Sequence, residues 1–199
     1  MTRRLVLVGN APVEGDRAAL VDGADAVVRF NGASGFAGAT GSRTDRLFLV
    51  NCGGQMREWL DDPAFAMRPA VAAARRIVLP IAPTGQGIVE PDADRFAGHV
   101  NHAAEATARL RAAGRAVRVL PRRAFEAACA ALAIEPDGGR APSTGFVALH
   151  HYRTGLPAAW TVELVGFGFD GWQGHAWDAE RTWVERRLGR GLVWHDASR

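Results

Sequence analysis

The 199-residue chain contains no lysine: its 24 cationic side chains are all arginine, set against 21 carboxylates for a net charge of +3. That excludes a Walker-type phosphate loop, whose lysine must reach the phosphate. The basic isoelectric point partly reflects the arginine pKa itself, and acidic residues alternate with the arginines so that no long basic run forms. A nucleic-acid partner therefore does not follow, although the surface stays positive enough to favour phosphate-bearing ligands. Cysteine is nearly absent: Cys52 sits in a Cys-Gly-Gly loop and Cys129 in an alanine-rich stretch. Two isolated thiols suit a reducing, cytoplasmic setting more readily than a disulfide framework. Long apolar runs are missing too, and none approaches the roughly 18 residues of a membrane helix. The basic start Met1-Thr2-Arg3-Arg4 leads only to Leu5-Val6-Leu7-Val8 before Asn10 and Pro12, too short a run for a signal peptide.

What is present suits a single α/β domain spanning residues 1–199, long enough to bury about 70% of its unfolded surface without metal or disulfide. Short β-branched runs alternate with longer Ala/Arg/Glu stretches. This predicts a mostly parallel, doubly wound, Rossmann-like sheet of six to seven strands with helices on both faces. The expected strands are residues 5–8, 26–30, 46–50, 76–81, 116–120 and 161–165, with 192–194 as a last edge. Helices are expected over 55–74, 97–113, 123–134, 144–153 and 178–187. Residues 83–95 read as a surface loop or lid, and 135–142 as a turn cluster.

Four segments carry chemistry. Gly9-Asn10 follows the first strand, where dinucleotide folds place a glycine fingerprint, but the fingerprint itself is absent. Asn10 offers both a carbonyl and an amide to a ribose or phosphate, and is equally an ordinary turn residue. Arg29, Asn31 and Gly32 close the second strand, and Arg43 and Asp45 lead into the third, spaced to pair with each other. Pro142-Ser143-Thr144-Gly145-Phe146 has the form of an N-cap entering a helix. Its free amides make an anion site without any cationic side chain, or simply a capped helix. His175-Ala176-Trp177-Asp178-Ala179-Glu180 follows a glycine-rich loop. With Asp178 as cap, His175 projects as a general base, and Glu180 lies in the first turn, where the helix dipole keeps it ionised. A surface histidine beside a first-turn glutamate has the same appearance.

These pieces resemble, in order and spacing, the sialylmotifs of glycosyltransferase family 29, the sialyltransferases. Residues 8–10 through 25–31 to 41–45 look like the large motif, 142–146 through 165–168 like the small one, and His175 to Glu180 like the very short His-x4-Glu motif. The chain is also similar to a group of short bacterial proteins labelled urease operon accessory proteins. The resemblance implies a sheet of GT-A-variant type, a CMP-activated donor such as a sialic acid-like or Kdo-like sugar, and inverting transfer with no metal or further cofactor. It implies that Gly9, Asn10 and Asn31 meet the nucleotide's phosphate and ribose, and that Ser143, Thr144 and Gly145 hold the cytidine and sugar. His175 would take the proton from a hydroxyl acceptor, and Glu180 would position the loop or the ring. The chain departs from the pattern in three places. There is no room at 170–174 for the family's His- and Tyr-rich motif, no counterpart to its inter-motif disulfide, and Ala11 stands where serine is usual.

Other readings stay open. Asp92-Ala93-Asp94 matches the Asp-x-Asp of metal-dependent glycosyltransferases, though hard cations want more oxygen ligands. His99 and His102 are three apart, too few for a tight transition-metal site. His150 and His151 either pack or face solvent. Trp172, Trp177 and Trp183 form either a sugar-stacking wall or core. A non-catalytic nucleotide- or protein-binding accessory protein with the same fold is the second class of function, and an NAD-type oxidoreductase is disfavoured by the missing fingerprint.

Overall fold

The computed structural model describes residues 2–83, 95–96, 99–136 and 139–196. In chain order the strands are β1 (Arg3–Val8), β2 (Ala26–Phe30), β3 (Arg46–Phe48), β4 (Ile77–Leu79), β5 (Arg95–Phe96), β6 (His99–Val100), β7 (Val117–Val119), β8 (Trp160–Val165) and β9 (Leu192–Trp194). The helices are α1 (Ala18–Asp22), α2 (Gly54–Asp61), α3 (Pro69–Ala73), α4 (Ala103–Ala112), α5 (Arg122–Ala131), α6 (Thr144–Gly155) and α7 (Trp177–Glu185). Seven strands make one all-parallel sheet in the order β7-β4-β3-β2-β1-β8-β9, while β5 and β6 form a small antiparallel pair. This is the α/β architecture expected from the alternation of apolar runs and alanine-rich helices.

Side-chain alternation splits the core in two. Leu5 and Leu7 of β1 pack with Phe125, Phe146 and Trp183 from α5, α6 and α7. Val6 and Val8 point the other way, onto Val21 of α1, and the same face continues through Leu47 and Ile77 onto Met56, Val71 and Leu110 of α2, α3 and α4. A strand buried on both faces needs apolar residues at every position, which is why β1 reads as an unbroken Leu-Val-Leu-Val.

Three boundaries differ from expectation. Residues 55–74 are not one helix: α2 ends at Asp61, a 3-10 turn covers Phe65–Met67, and α3 follows. Pro63 holds Asp62 extended (ψ 113°), and Asp62 then accepts the Ala64 amide, while Pro69 opens α3 at its N-terminus. The helix expected over 97–113 starts only at Ala103, because the Asn101 carboxamide accepts the Ala103 amide at 2.9 Å and is itself fixed by Asn51 at 2.7 Å. Helix α7 is preceded by Ala176 rather than capped by Asp178. Asp92, Asp94 and most of the expected 83–95 loop lie outside the described residues, as does the side chain of His99. No helix among the described residues is long and apolar enough to cross a membrane.

The segment between β2 and β3 is organised by a cation. Arg29 is fully buried, and its guanidinium donates to the carbonyls of Arg43, Thr40 and Gly41 and to the Thr40 hydroxyl. Burial pushes its pKa down, partly offset by Asp22. Arg43 and Asp45 pair at 2.9 Å, as their spacing suggested. This polar cluster sets the path of the chain that leaves β2 at Asn31.

Candidate active site

Between β1 and β8 the chain direction across the sheet reverses, and such a switch point opens a crevice at the carboxyl ends of the strands. Here the two backbones nearly touch. A Cβ on Gly9 would lie 2.1 Å from the Gly166 carbonyl oxygen, and Gly166 itself has φ +67°. Only glycine fits at Gly9, and the resulting gap becomes the floor of a cavity of about 780 Å³. Gly9, Asn10, Asn31, Ser143, Thr144, Gly145, His175 and Glu180 all line it. Residues separated by more than 160 positions in sequence thus meet in one crevice.

The two asparagines are loop staples. Asn10 donates to the Phe30 carbonyl at 3.2 Å and accepts the Ser34 amide at 2.8 Å, while Asn31, at φ 51°, accepts the Val50 amide at 2.8 Å. Asn10 keeps one N–H and one lone pair free for a ligand, and the Asn31 amide nitrogen has no partner among the described residues. Asn10→Ala should cost about 1 kcal/mol from the two lost bonds, read as a lower midpoint in urea. An unchanged midpoint would show that the loops hold without the staple.

Ser143 caps α6: its hydroxyl accepts the Phe146 amide at 3.0 Å. The Thr144 and Gly145 amides, next in line, have no acceptor among the described residues. Two free donors at the positive end of a 12-residue helix therefore face the cavity. Gly145 leaves room there, with the Phe167 ring 3.3 Å from where a Cβ would stand.

Glu180 lies in the first turn of α7, as expected. It is buried, and its carboxylate accepts the Ser143 amide at 2.6 Å and the Ser143 hydroxyl at 2.7 Å. Burial raises its pKa to about 7, against the pull of both Ser143 donors. Burial thus works against the α7 dipole that was expected to keep it ionised. No hydrogen bond joins it to His175 among the described residues; of the two roles expected for it, the geometry matches positioning of the loop, not of the ring.

The ring of His175 is oriented instead by backbone and aromatics. Nδ1 lies 3.1 Å from the Ala141 carbonyl. A carbonyl can only accept, so Nδ1 carries a proton, and in the neutral ring Nε2 keeps its lone pair. Trp172 and Trp177 flank the imidazole edge-on, each with its centroid 4.9 Å away. Burial pulls the His175 pKa below the usual value, only partly opposed by the Ala141 carbonyl. A neutral imidazole with a free Nε2 is a ready proton acceptor.

Several cavity residues lie outside the motifs: Cys52, Gly53, Gly54 and Gln55 at the start of α2, and Phe169 and Asp170 after β8. The glycine-rich run at 166–174 was the available clue to the latter. Trp183 is buried in the core rather than in the cavity wall, edge-on to Phe146 at 5.2 Å. His150 also packs there, while His102 lies at the start of α4, 4.0 Å from Glu105. No group of three or more possible metal ligands occurs among the described residues.

No family model matches the chain. The urease operon 23 kDa accessory protein of Rhizobium meliloti (strain 1021) is 32% identical over 203 residues, covering 96% of this chain and 91% of that protein. The chain belongs to that accessory protein's family. The fold is also that of a mammalian sialyltransferase solved in complex with Gal-beta-1-3GalNAc-ortho-nitrophenol. That match has a TM-score of 0.55 and 18% identity, and covers 96% of this chain and 69% of the other. The accessory-protein family thus has a member with a sialyltransferase-like sheet, and its crevice lies at the switch point of that sheet.

Proposed function

We propose that this member of the accessory-protein family is an inverting glycosyltransferase that uses a CMP-activated sugar and a hydroxyl acceptor in the cytoplasm. One observation carries the reading: an imidazole held through Nδ1 by the Ala141 carbonyl lines the same cavity as the Thr144 and Gly145 amides, which have no acceptor among the described residues. His175 Nε2 takes the acceptor's hydroxyl proton as the acceptor oxygen bonds to the anomeric carbon. The anomeric C–O bond to phosphate breaks in the same displacement, and CMP leaves with the electron pair. The amides at the α6 N-terminus stabilise the charge that develops on the departing phosphate. A phosphate leaving group is already a weak base, so one proton acceptor suffices, unlike the opposed carboxylates of a glycosidase. The chemistry assigns no step to a metal.

The first test is thermal unfolding with CMP, UDP, GDP and NAD, each with and without EDTA. At 100 times its dissociation constant a ligand adds about 2.7 kcal/mol, which is several degrees for a domain of this size. The expected result is a shift with CMP alone, indifferent to EDTA. No shift with any nucleotide would favour the second reading, supported by the relative's name: a non-catalytic accessory protein whose crevice serves a protein partner.

A further inference from the structure

Away from the crevice, three arginines gather on the sheet face that α6 covers. Phe48 and Val78 point into the core on that face, so Arg46 and Arg76, each two positions earlier in the chain, point there as well. Arg76 is already part of the ladder, its carbonyl accepting the Leu47 amide at 3.0 Å. Arg118 pairs in register with Val78 and lies between Val117 and Val119, which pack on the opposite face. The three side chains therefore rise from neighbouring strands β3, β4 and β7 toward one helix.

They meet at Tyr152 of α6. The Arg46 guanidinium lies over the Tyr152 ring, 5.6 Å from its centroid, and the His151 ring stands 5.3 Å away. Burial raises the phenol's pKa, while Arg46, Arg118 and Arg76 all pull it back down. None of the three guanidinium groups has a hydrogen bond or ion pair among the described residues, and neither does the Tyr152 hydroxyl. Other arginines are matched: Arg4 by Glu163, Arg57 by Asp61 and Glu105, and Arg68 by Asp62. Asp45, next to Arg46 in the chain, is committed to Arg43 at 2.9 Å and Arg75 at 3.2 Å. Three like charges around one phenol repel one another, and an anion from outside the chain would relieve them.

We propose that Arg46, Arg76, Arg118 and Tyr152 form a second anion site, which takes a soluble phosphorylated compound. A guanidinium fork matches phosphoryl oxygens two at a time, and a phosphoryl group carries about −1.5 to −2 charge near pH 7, more than a carboxylate. The Tyr152 hydroxyl adds a neutral donor. Tyr152 lies about 12 Å along α6 from Thr144, so one phosphate cannot occupy both ends of the helix. The site uses neither His175 nor the α6 amides, and it stands whether or not the crevice is a transferase centre.

The test is calorimetric titration of the full chain with pyrophosphate, in wild type, Arg76→Gln/Arg118→Gln and Tyr152→Phe. Wild type should bind. The double variant should bind about 100-fold more weakly, having lost two charge-assisted contacts, and Tyr152→Phe, which keeps its ring, about five-fold more weakly. Urea midpoints of the double variant should equal or exceed wild type, because two repelling charges are gone. No pyrophosphate heat in wild type, or undiminished heat in the double variant, would overturn the site. Weaker binding together with a lower midpoint in the double variant would assign the arginines a structural role and overturn it too. A glutamate hexapeptide that displaces pyrophosphate at equal concentration would replace the proposal with an acidic polypeptide partner. Sedimentation with phosphatidic acid vesicles, without pyrophosphate binding, would replace it with a lipid headgroup.

Discussion

Replacement of His175 by alanine is expected to lower transfer about 10²–10⁴-fold, the usual worth of one positioned general base, with CMP affinity nearly unchanged. The two effects separate because the groups sit on different elements. The imidazole belongs to the turn after β8, held by Ala141 and two tryptophans, whereas the free amides belong to α6. The base works only when neutral. Its pKa lies below the ordinary histidine value, so activity should hold as pH falls through that value and be lost only at lower pH. The kcat/KM profile of wild type should therefore show an acid limb below 6.5, absent from the residual activity of His175→Ala. Turnover by the variant at the wild-type rate would remove His175 from the chemistry.

Much of this arrangement was legible in the chain. The strands came through because burial on both faces imposes unbroken apolar runs, as in Leu5-Val6-Leu7-Val8 and Val27-Val28. The Ser143 cap was legible because only a few side chains can accept a first-turn amide. The helix expected over 55–74 was misjudged because alanine-rich periodicity outweighed Pro63 and Pro69, each of which breaks the hydrogen-bond ladder locally. Glu180 could not be read correctly from sequence. Its position in the first turn of α7 predicted ionisation, and only the packing of α7 against the α6 N-terminus buries it against Ser143. The same holds for Asn10 and Asn31, whose bonds run to loops 20 or more positions away or, for Asn31, 19. Convergence of the motifs on one crevice is a property of the sheet order, which local pattern does not encode.

Glu180 gives the second large effect. Glu180→Ala is expected to lose about 3–4 kcal/mol of stability, from a cavity and from the Ser143 amide left without its acceptor. Glu180→Gln should differ, since its carbonyl can still accept that amide and its NH₂ can donate to the Ser143 hydroxyl. The distinction between Glu and Gln is then one of charge, and pH exposes it. The folded pKa is raised to about 7 from an ordinary 4.5, so folding favours the neutral acid. Its contribution is fully present below about 4.5 and is lost as pH rises through about 7. Relative to Glu180→Gln, wild type should lose roughly 3 kcal/mol across that window, measured as urea midpoints at pH 5 and pH 8. Anion binding should follow the same titration. An ionised Glu180 places a buried negative charge behind the amides that would meet a phosphate, so CMP should bind wild type more weakly at pH 8 than at pH 6 and take up protons on binding. Glu180→Gln should bind CMP with little change over that range beyond the phosphate's own titration. Identical pH dependence of stability in the two proteins would mean that the carboxylate stays ionised on its two Ser143 donors throughout, and that they outweigh its burial.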